Sequence, residues 1–313
     1  MDFQRLRTFR TVATLMNFNQ AAKVMNYAQS SISSQIKTLE NEIGAPLFHR
    51  FGKKIVLTNT GEKMLKYAQK LLAIEEEARA EISGKTNDTS LLTVRMPQTV
   101  ATYHLPGVLA DFQSFFPKIH LDISSCARYS LEHELSIGII DLAFLLTDSV
   151  DAASLEFELL KVERLVLVAF PGHPLMKKKR TGYRDLQGQV LFLPKADCGY
   201  RMTIEQILTA EQINPTSVIE INSIEAIKEA VINGLGVTII PEIAVRNALE
   251  HGKLAELPWE EDLETGVCMI WSKDKWFSPA LESFMNSFRK ILASSPTDLG
   301  TITPIPENTK QGK

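Results

Sequence analysis

Residues 29–61 read QSSISSQIKTLENEIGAPLFHRFGKKIVLTNTG, and this stretch decides how the N-terminal part of the 313-residue chain folds. Apolar side chains recur at helical spacing in its first half, which predicts a helix over about 29–43. The inward face holds Ile32, Ile36, Leu39 and Ile43, and the outward face holds Gln29, Ser30, Ser33, Ser34, Gln35 and Lys37. Short polar side chains let a helix lie deep in the major groove, where amides contact base edges and hydroxyls contact phosphates. A three-helix bundle whose polar face serves only solubility is the alternative.

The segments on either side of this helix complete a DNA-binding motif. Two helices are predicted before it, one with Leu6, Phe9, Val12, Ala13 and Met16 inward and one with Phe18, Ala21, Ala22 and Met25 inward. Asn17 or Asn19 is expected to cap the second of these helices. After the third helix, Phe51-Gly52-Lys53-Lys54 is typical of a tight hairpin tip between two strands. Such a hairpin is a wing, and Arg50, Lys53 and Lys54 are its candidate DNA contacts.

The order and density of these motifs resemble the winged helix-turn-helix of LysR-type transcriptional regulators. The matching residues are Phe9, Ala21-Ala22, Gln29 to Ser33, Gln35-Ile36, Leu39-Glu40, Gly44, Leu47 to Arg50 and Leu57 to Gly61. Members of that family commonly have serine where this chain has Ala28 and proline where it has Ser30. The resemblance implies a DNA-binding domain over residues 1–60 that binds double-stranded DNA at pseudo-palindromic promoter sites. It leaves RNA polymerase open as a further partner.

Charge is divided unevenly along the chain. Residues 1–66 contain ten Lys and Arg residues and four Asp and Glu residues, whereas the whole chain contains 34 and 37. The first 66 residues therefore carry a net charge of +6, and the remainder carries −9. Phosphate neutralisation requires Lys and Arg on one surface, so a basic N-terminal part on an acidic body favours a nucleic-acid binder with a second function. A basic face that is simply solvated is the alternative.

A long helix is predicted to follow the wing and to join two chains. Apolar residues alternate at spacings of four and three in Met64, Ala68, Leu71, Ala78 and Ile82, with Leu65 and Leu72 beside them and an interruption only at Glu75. Such a seam is typical of a coiled coil, and a two-fold DNA site requires a dimer. Residues 61–90 are therefore assigned to a dimerisation helix with a hinge at 83–90, and we expect a dimer or a dimer of dimers. Packing of the helix against its own chain is the alternative.

Residues 91–293 alternate apolar runs with amphipathic segments, as in α/β domains with largely parallel sheets. Strands are predicted at 91–95, 120–124, 142–146, 164–170, 190–193, 217–220, 237–240 and 266–271, and helices at 105–115, 131–137, 202–210, 224–233, 243–249 and 278–292. With landmarks such as Leu105-Pro106, His173-Pro174-Leu175 and Gly234 to Val237, this order resembles the effector domain of the LysR family, which is similar to type 2 periplasmic solute-binding proteins. The resemblance implies two subdomains, 91–163 with 266–293 and 164–265, around a cleft. Residues 294–313 are expected to form a mobile tail.

Three helix starts are expected to line this cleft, because free N–H groups and the helix dipole favour anions there. The candidate effector-binding residues are Gln98, Thr99, Thr102, Cys198, Tyr200, Arg201, Asn222 and Ser223. The expected ligand is a small anionic metabolite that closes the cleft and changes the spacing of paired recognition helices. Arg201 as a salt-bridge partner, and Thr99 and Ser223 as helix caps, are open alternatives. Cys198 also suggests a redox sensor, but no second cysteine lies near it in the sequence.

The remaining features argue against an enzyme and against a secreted or membrane protein. The six histidines form no HxH or HExxH group, and no GxSxG, P-loop or strand-associated GxGxxG motif occurs, so no catalytic residue, metal ligand or cofactor is predicted. Three widely separated cysteines exclude a CxxC zinc site. No apolar run approaches the roughly 20 residues of a membrane span, and no signal peptide is visible. The sequence predicts a cytoplasmic, ligand-responsive transcription regulator, with a solute-binding protein as second candidate.

Overall fold

The computed structural model describes residues 1–51, 54–83, 91–125, 128–147, 153–195 and 199–293. Its N-terminal unit, here called the head, contains α1 (Phe3–Leu15), α2 (Phe18–Met25) and α3 (Gln29–Ile43). Asp2 and Asn17 cap α1 and α2, because their side-chain oxygens accept hydrogen bonds from N–H groups of the first turns. The three predicted helices and the cap at Asn17 are confirmed.

One apolar core holds the head together. Phe9 of α1 and Ile36 and Leu39 of α3 are fully buried. The ring of Phe48, which follows α3, packs edge-on against Phe9 with 5.5 Å between the ring centroids. Burial of each such side chain contributes roughly 1.5–3 kcal/mol. Because these contacts fix the inward face of α3, they also determine which of its residues point away from the protein.

The wing consists of β1 (Phe48–Phe51) and β2 (Lys54–Leu57), which pair antiparallel with Arg50 opposite Ile55. Ile55 is buried, whereas Arg50 and Lys54 are exposed. The predicted tip residues Gly52 and Lys53 lie outside the described residues. The hairpin predicted from the sequence is confirmed on both sides of its tip.

Helix α4 (Asn59–Ser83) follows the wing, and one of its apolar faces is buried whereas the other is exposed. Leu65, Ala68 and Leu72 are fully buried against the head, and Met64 is partly buried beside them. The prediction that Met64 and Ala68 face a partner chain is therefore wrong, because both complete the core of the head. The exposed apolar face runs along Tyr67, Leu71, Ile74, Ala78 and Ile82. Of the predicted hinge, residues 84–90 lie outside the described residues.

The body is built on a mixed sheet. Its strands are β3 (Leu91–Arg95), β4 (His120–Ser124), β5 (Leu142–Leu146), β6 (Leu155–Ala169), β7 (Val190–Leu193), β8 (Ser217–Glu220), β9 (Val237–Pro241), β10 (Ala255–Glu256) and β11 (Glu264–Ser272). The strand order is β4-β3-β5-β11-β6-β9-β7-β8, with β10 beside β6. Strands pair in parallel at both ends of this sheet and antiparallel from β5 through β9. The prediction of largely parallel pairing is thus wrong at the centre of the sheet.

Strand β6 is longer than the predicted 164–170 and joins the two halves of the sheet. Its first half pairs with β11, and its second half pairs with β9. The first half escaped prediction because Glu156, Phe157 and Leu159 are all exposed and a register shift interrupts the pairing with β11. We call residues 91–163 with 264–293 lobe I, and residues 164–263 lobe II.

The helices of the body are α5 (Gln98–Tyr103), α6 (Leu105–Phe115), α7 (Arg128–Ser136), α8 (Gly199–Ala210), α9 (Ile224–Ile232), α10 (Glu242–Glu250) and α11 (Pro279–Ala293). One continuous apolar core runs from Phe288 of α11 in lobe I to Ile239 of β9 in lobe II. The lobes therefore share buried side chains in one core.

Candidate nucleic-acid interface and ligand cleft

The face of α3 that points away from the head core carries the predicted base-contacting residues. Gln29, Ser30, Ser34 and Lys37 are exposed, and Ser33 and Gln35 are half-buried. Gln29 donates a hydrogen bond from Nε2 to Ser33 Oγ at 2.9 Å, which orients the Gln29 amide along this face. Amide, hydroxyl and ammonium groups on one helix face match the acceptors and donors of base edges and phosphates.

Gln35 is bound differently from its neighbours on α3. Its Oε1 accepts a hydrogen bond at 2.6 Å from Oγ1 of Thr8, a fully buried residue of α1. This bond fixes α3 against α1 and so helps to orient the exposed face. The prediction that Gln35 contacts DNA then rests on its amide NH₂ group, because the oxygen is already engaged.

The start of α3 offers a further contact that the sequence did not single out. Ala28 stands at the N-cap position and provides no side-chain cap. The N–H groups of the first turn carry partial positive charge and favour a phosphate. Tyr27, exposed to 44%, directly precedes this end, after Asn26 has turned the chain in a left-handed conformation at φ 56°. The aromatic Tyr27 in the turn between α2 and α3 was the sequence signal that could have identified this contact.

The wing adds positive charge next to α3. The guanidinium of Arg50 lies 4.9 Å from the ring centroid of Phe18, a cation–π contact that ties the wing to α2. Lys54 is exposed on the neighbouring strand, and Lys53 lies outside the described residues. Phe51 is 66% exposed near the tip, an apolar side chain that the sequence analysis did not select.

The two lobes, between which the sequence predicts a ligand cleft, are tied together by the first residue of α5. Gln98 Oε1 accepts a hydrogen bond at 2.8 Å from the backbone N–H of Ile224, the first residue of α9. Ser223 caps the same helix, because its Oγ accepts a hydrogen bond at 3.3 Å from Ala226 N–H. The alternative of Ser223 as a helix cap is therefore confirmed. Two of the N–H groups that the sequence analysis offered to a ligand are bound by the chain itself.

Tyr103, at the end of α5, forms a second bridge between the lobes. Its hydroxyl contacts Glu225 Oε1 at 2.8 Å, the carbonyl oxygen of Ala244 at 3.1 Å and Lys228 Nζ at 3.2 Å. Burial and the neighbouring carboxylate of Glu225 raise the pKa of Tyr103. Burial alone would lower the pKa of Lys228, but its hydrogen bonds to Glu225 and Tyr103 raise it. We call the contacts of Gln98 and Tyr103 with lobe II the clasp.

Arg201 lies at the start of α8 with its side chain buried. Its Nη1 donates to the carbonyl oxygen of Pro194 at 2.7 Å, and its Nη2 contacts Glu205 and Glu220 at 2.5 and 3.0 Å. The guanidinium thus forms salt bridges with the chain's own carboxylates, as the alternative interpretation had it. A ligand carboxylate would have to displace them.

The other predicted ligand residues are not all brought together. Thr99 and Tyr200 are buried, Thr102 and Asn222 are exposed, and Cys198 lies outside the described residues. Gly199 brings the lobes into close contact, because a Cβ there would lie 1.8 Å from the carbonyl oxygen of Leu146. Only glycine fits at this position, which the sequence analysis passed over.

A buried charged cluster lies where β6 passes from one lobe to the other. His104 Nε2 is 3.4 Å and Lys161 Nζ is 3.1 Å from Glu163 Oε1, and all three side chains are more than nine-tenths buried. Burial acts to raise the pKa of Glu163, but the contacts with His104 and Lys161 outweigh it and lower that pKa. The sequence gave no signal for this cluster, because His104 is distant from the other two residues.

Within the described ranges, no group of three or more His, Cys, Asp or Glu side chains is placed to hold a metal ion. In the same part of the chain, no helix combines the length and the apolar character needed to cross a membrane.

Two protein-family descriptions match the chain. The bacterial regulatory helix-turn-helix protein of the lysR family matches residues 3–62, and the LysR substrate binding domain matches residues 85–293. The HTH-type transcriptional regulator YwqM of Bacillus subtilis is 36% identical over 291 residues, which cover 93% of this chain and 99% of that protein.

Solved structures are similar over nearly the whole chain. A full-length OxyR variant from Pseudomonas aeruginosa has a TM-score of 0.71 at 24% identity and covers 96% of this chain and 99% of that one. Full-length LysG from Corynebacterium glutamicum with bound effector Arg has a TM-score of 0.61 at 19% identity, over 94% and 98% of the two chains. At these identities the likeness shows the fold.

Proposed function

The chain belongs to the LysR family of transcriptional regulators, and on that premise we propose that it binds specific DNA sites through the exposed face of α3 and through the wing. The observation that carries this proposal is the polar outward face of α3, which the buried Ile32, Ile36 and Leu39 hold away from the core. Similar proteins are named as transcriptional regulators, so the proposed role is regulatory. The protein is proposed to act in the cytoplasm, where bacterial promoters lie, with RNA polymerase as a further partner.

The test is the substitution Gln29→Ala on a site that the wild type selects from random duplex DNA. If Gln29 contacts a base edge, the variant loses roughly 1–3 kcal/mol of discrimination between the selected site and unrelated DNA. Fluorescence anisotropy with both duplexes measures this ratio. Gln113→Ala, the same change at an exposed position of α6, serves as the matched control. An unchanged ratio for Gln29→Ala contradicts the assigned role.

We also propose that two chains join through the exposed face of α4. Tyr67, Ile74 and Ile82 are 65, 60 and 86% exposed, and a row of large apolar side chains along one helix favours a partner. A two-fold DNA site is read by a dimer, and the same face, or others, can support a dimer of dimers.

Ile74→Glu tests this interface, because it places a charge in the middle of the exposed apolar face. We expect the variant to sediment as a monomer at concentrations where the wild type is a dimer. Lys253→Glu, a charge change at an exposed position of lobe II, should leave the dimer intact. A dimeric Ile74→Glu variant would place the interface elsewhere.

For the effector, we propose a small anionic molecule that binds in the cleft at the start of α9 and displaces the Gln98 amide. The start of a helix favours an anion over a neutral amide, because its N–H groups and dipole are positive. Thr99, Thr102, Tyr200 and Asn222 are the proposed neighbours of this molecule. LysG, which is similar to this chain, holds a small molecule as its effector. A thermal-shift screen of carboxylates and phosphates tests the proposal, since a ligand that binds only the folded state raises Tm.

A further inference from the structure

Helix α4 lies along the turn between α7 and β5 of lobe I. Gln69 donates a hydrogen bond from Nε2 to the carbonyl oxygen of Gly138 in this turn. Gly138 has a left-handed conformation at φ 75°, and a Cβ on it would overlap the Gln69 amide. Glycine at this position therefore both permits the turn and leaves room for the side chain of α4.

An ion pair and a glutamate–histidine contact accompany this hydrogen bond along the same face of α4. Lys66 Nζ lies 2.9 Å from Asp274 Oδ2, and Glu62 Oε1 lies 3.4 Å from His133 Nε2. The spacing of 62, 66 and 69 places all three α4 side chains on one face of the helix. The hydrogen bond and charge of Lys66 lower the pKa of Asp274, so its carboxylate is ionised at neutral pH.

An apolar contact connects the head to the same turn. Ile139 is partly buried and packs both against the core of the head and against the cluster around Leu135 and Ile140 in lobe I. The head itself is fixed to α4, because Arg7 of α1 forms an ion pair with Glu75. A change in the angle of α4 on lobe I therefore moves the head as well.

The turn is also bonded to the strand that leads to the cleft. Asp141 Oδ2 accepts a hydrogen bond at 2.8 Å from Thr93 N–H, and Asp141 N–H donates one at 2.8 Å to the Thr93 carbonyl. Thr93 belongs to β3, and the chain continues from β3 to Gln98 of the clasp. One turn thus contacts α4 on one side and the strand that carries the clasp on the other.

From these contacts we propose that Lys66, Gln69 and the turn at residues 138–141 are positioning residues for DNA binding. They hold the head in one orientation on lobe I and thereby set the distance between the two recognition helices of a dimer. The partner of this lobe I surface is α4 of the same chain. Exposed ion pairs are individually weak, so this contact can be released when the cleft changes shape. The inference rests on the DNA-binding function proposed above.

Cross-linking tests whether the contact forms within one chain in solution. A carbodiimide converts a carboxylate to an O-acylisourea. The amine of the ion pair attacks the acyl carbon, an amide forms, and the urea leaves with one carboxyl oxygen. We expect a peptide that joins Lys66 to Asp274 in the full-length protein, and no such peptide in Lys66→Arg, which keeps the charge but cannot form the amide.

A mixture of unlabelled and ¹⁵N-labelled protein identifies which chains are joined. Subunit exchange is first verified by native mass spectrometry, which detects mixed dimers. We expect both halves of each cross-linked peptide to carry the same nitrogen isotope. A mixed-label peptide would show that α4 contacts the body of another chain, and absence of the link would show that the head is not held on lobe I. Either result overturns the proposal.

DNA spacing tests the positioning role itself. The probes are a single half-site and the full site selected by the wild type, the latter also with one or two base pairs inserted at its centre. We expect insertion to cost the wild type about tenfold in affinity and to cost the double variant Lys66→Ala, Gln69→Ala clearly less. Lys63→Ala is the control and should behave as wild type.

Half-site affinity separates this inference from the proposed function. It should be equal in the wild type and in the Lys66→Ala, Gln69→Ala variant, because the recognition helix is unchanged. Identical spacing preferences in the two proteins would contradict the positioning role while leaving DNA binding intact. Failure of the wild type to bind the half-site or the full site specifically would contradict the proposed function instead.

Discussion

The head and the cleft use polar side chains in opposite ways. On α3, Gln29, Ser30 and Ser34 lie within six residues of each other, and all point into solvent. In the clasp, Gln98 and Ile224 are separated by 126 positions and are already bonded to each other. The polar surface of α3 is formed by neighbouring residues that face solvent, whereas the clasp is assembled from distant segments whose polar groups bond to each other.

This difference separates the energetics of the two binding events. DNA binding adds contacts to exposed groups and releases counterions, so it requires no contact within the head to break. In the effector-binding mode proposed above, a ligand at the start of α9 would replace one acceptor, the Gln98 amide, with another. The net free energy of binding at this point is the difference between the ligand interaction and the Gln98 interaction, and only that difference could shift the lobes.

Among the substitutions that distinguish the body from the head, Glu163→Gln is expected to have the largest effect on stability. Removal of the Glu163 carboxylate leaves the buried Lys161 ammonium uncompensated and costs roughly 3–5 kcal/mol of stability. Urea denaturation followed by tryptophan fluorescence measures this loss in the body, where Trp259, Trp271 and Trp276 all lie. Affinity for a DNA half-site should be unchanged, because the head has its own core.

The lowered pKa of Glu163 also predicts how this loss of stability depends on pH. Glu163 has a folded-state pKa below the ordinary value of 4.5, so its contribution is complete above that pH and is lost as pH falls through the lowered folded pKa. The stability difference between wild type and Glu163→Gln should therefore shrink below pH 4.5. Glu156→Gln, an exposed change on the same strand, is the control. Equal losses for both variants would refute the role of the buried cluster.

A smaller effect is expected when the clasp is opened on one side by Gln98→Ala. Ile224 N–H loses its acceptor, and loss of such a hydrogen bond corresponds to about 0.5–1.5 kcal/mol. Hydrogen exchange at the Ile224 amide should accelerate by about 2- to 12-fold, while exchange at Ala226, capped by Ser223, stays constant. Unchanged exchange at Ile224 would mean that the lobes do not meet through Gln98 in solution.

The smallest effect is expected on the wing, from Lys54→Ala. If Lys54 contacts one phosphate, the slope of log affinity against log salt falls by about 0.9, equally for specific and unrelated DNA. The melting temperature of the body should not change, since Lys54 lies in the wing and is exposed. A salt slope identical to that of the wild type would show that Lys54 does not contact DNA.

Features that depend on neighbours in the sequence were predictable. The spacing of Ile32, Ile36 and Leu39 defines α3 and its outward face, because helical periodicity and burial are local properties. For the same reason the capping role of Asn17 and both strands of the wing followed from short motifs. Which of the outward residues contact DNA stays a prediction.

Features that depend on distant pairs were not predictable. Gln98 was selected as a ligand residue, but its bond to Ile224 follows from how two lobes meet and leaves no trace in either segment. Helix α4 carries two adjacent apolar stripes, and periodicity cannot decide that Ala68 faces the head while Ile74 faces solvent. In the first half of β6, Phe157 and Leu159 are exposed whereas the charged Lys161 and Glu163 are buried, so apolar character does not follow burial there.

The return of the chain to lobe I through β11 and α11 also implies an order of assembly on the ribosome. Lobe I begins with β3 but lacks its central strand β11 and its helix α11 until the last part of the described chain is made, whereas the head and α4 are complete by Ser83. Domains generally fold in the order in which they are synthesised. A chain that ends before Glu264, by early termination or proteolysis, therefore keeps a folded head but lacks a finished lobe I. Such a fragment would keep the proposed DNA-binding surface but lose the lobe on which the proposed effector response depends.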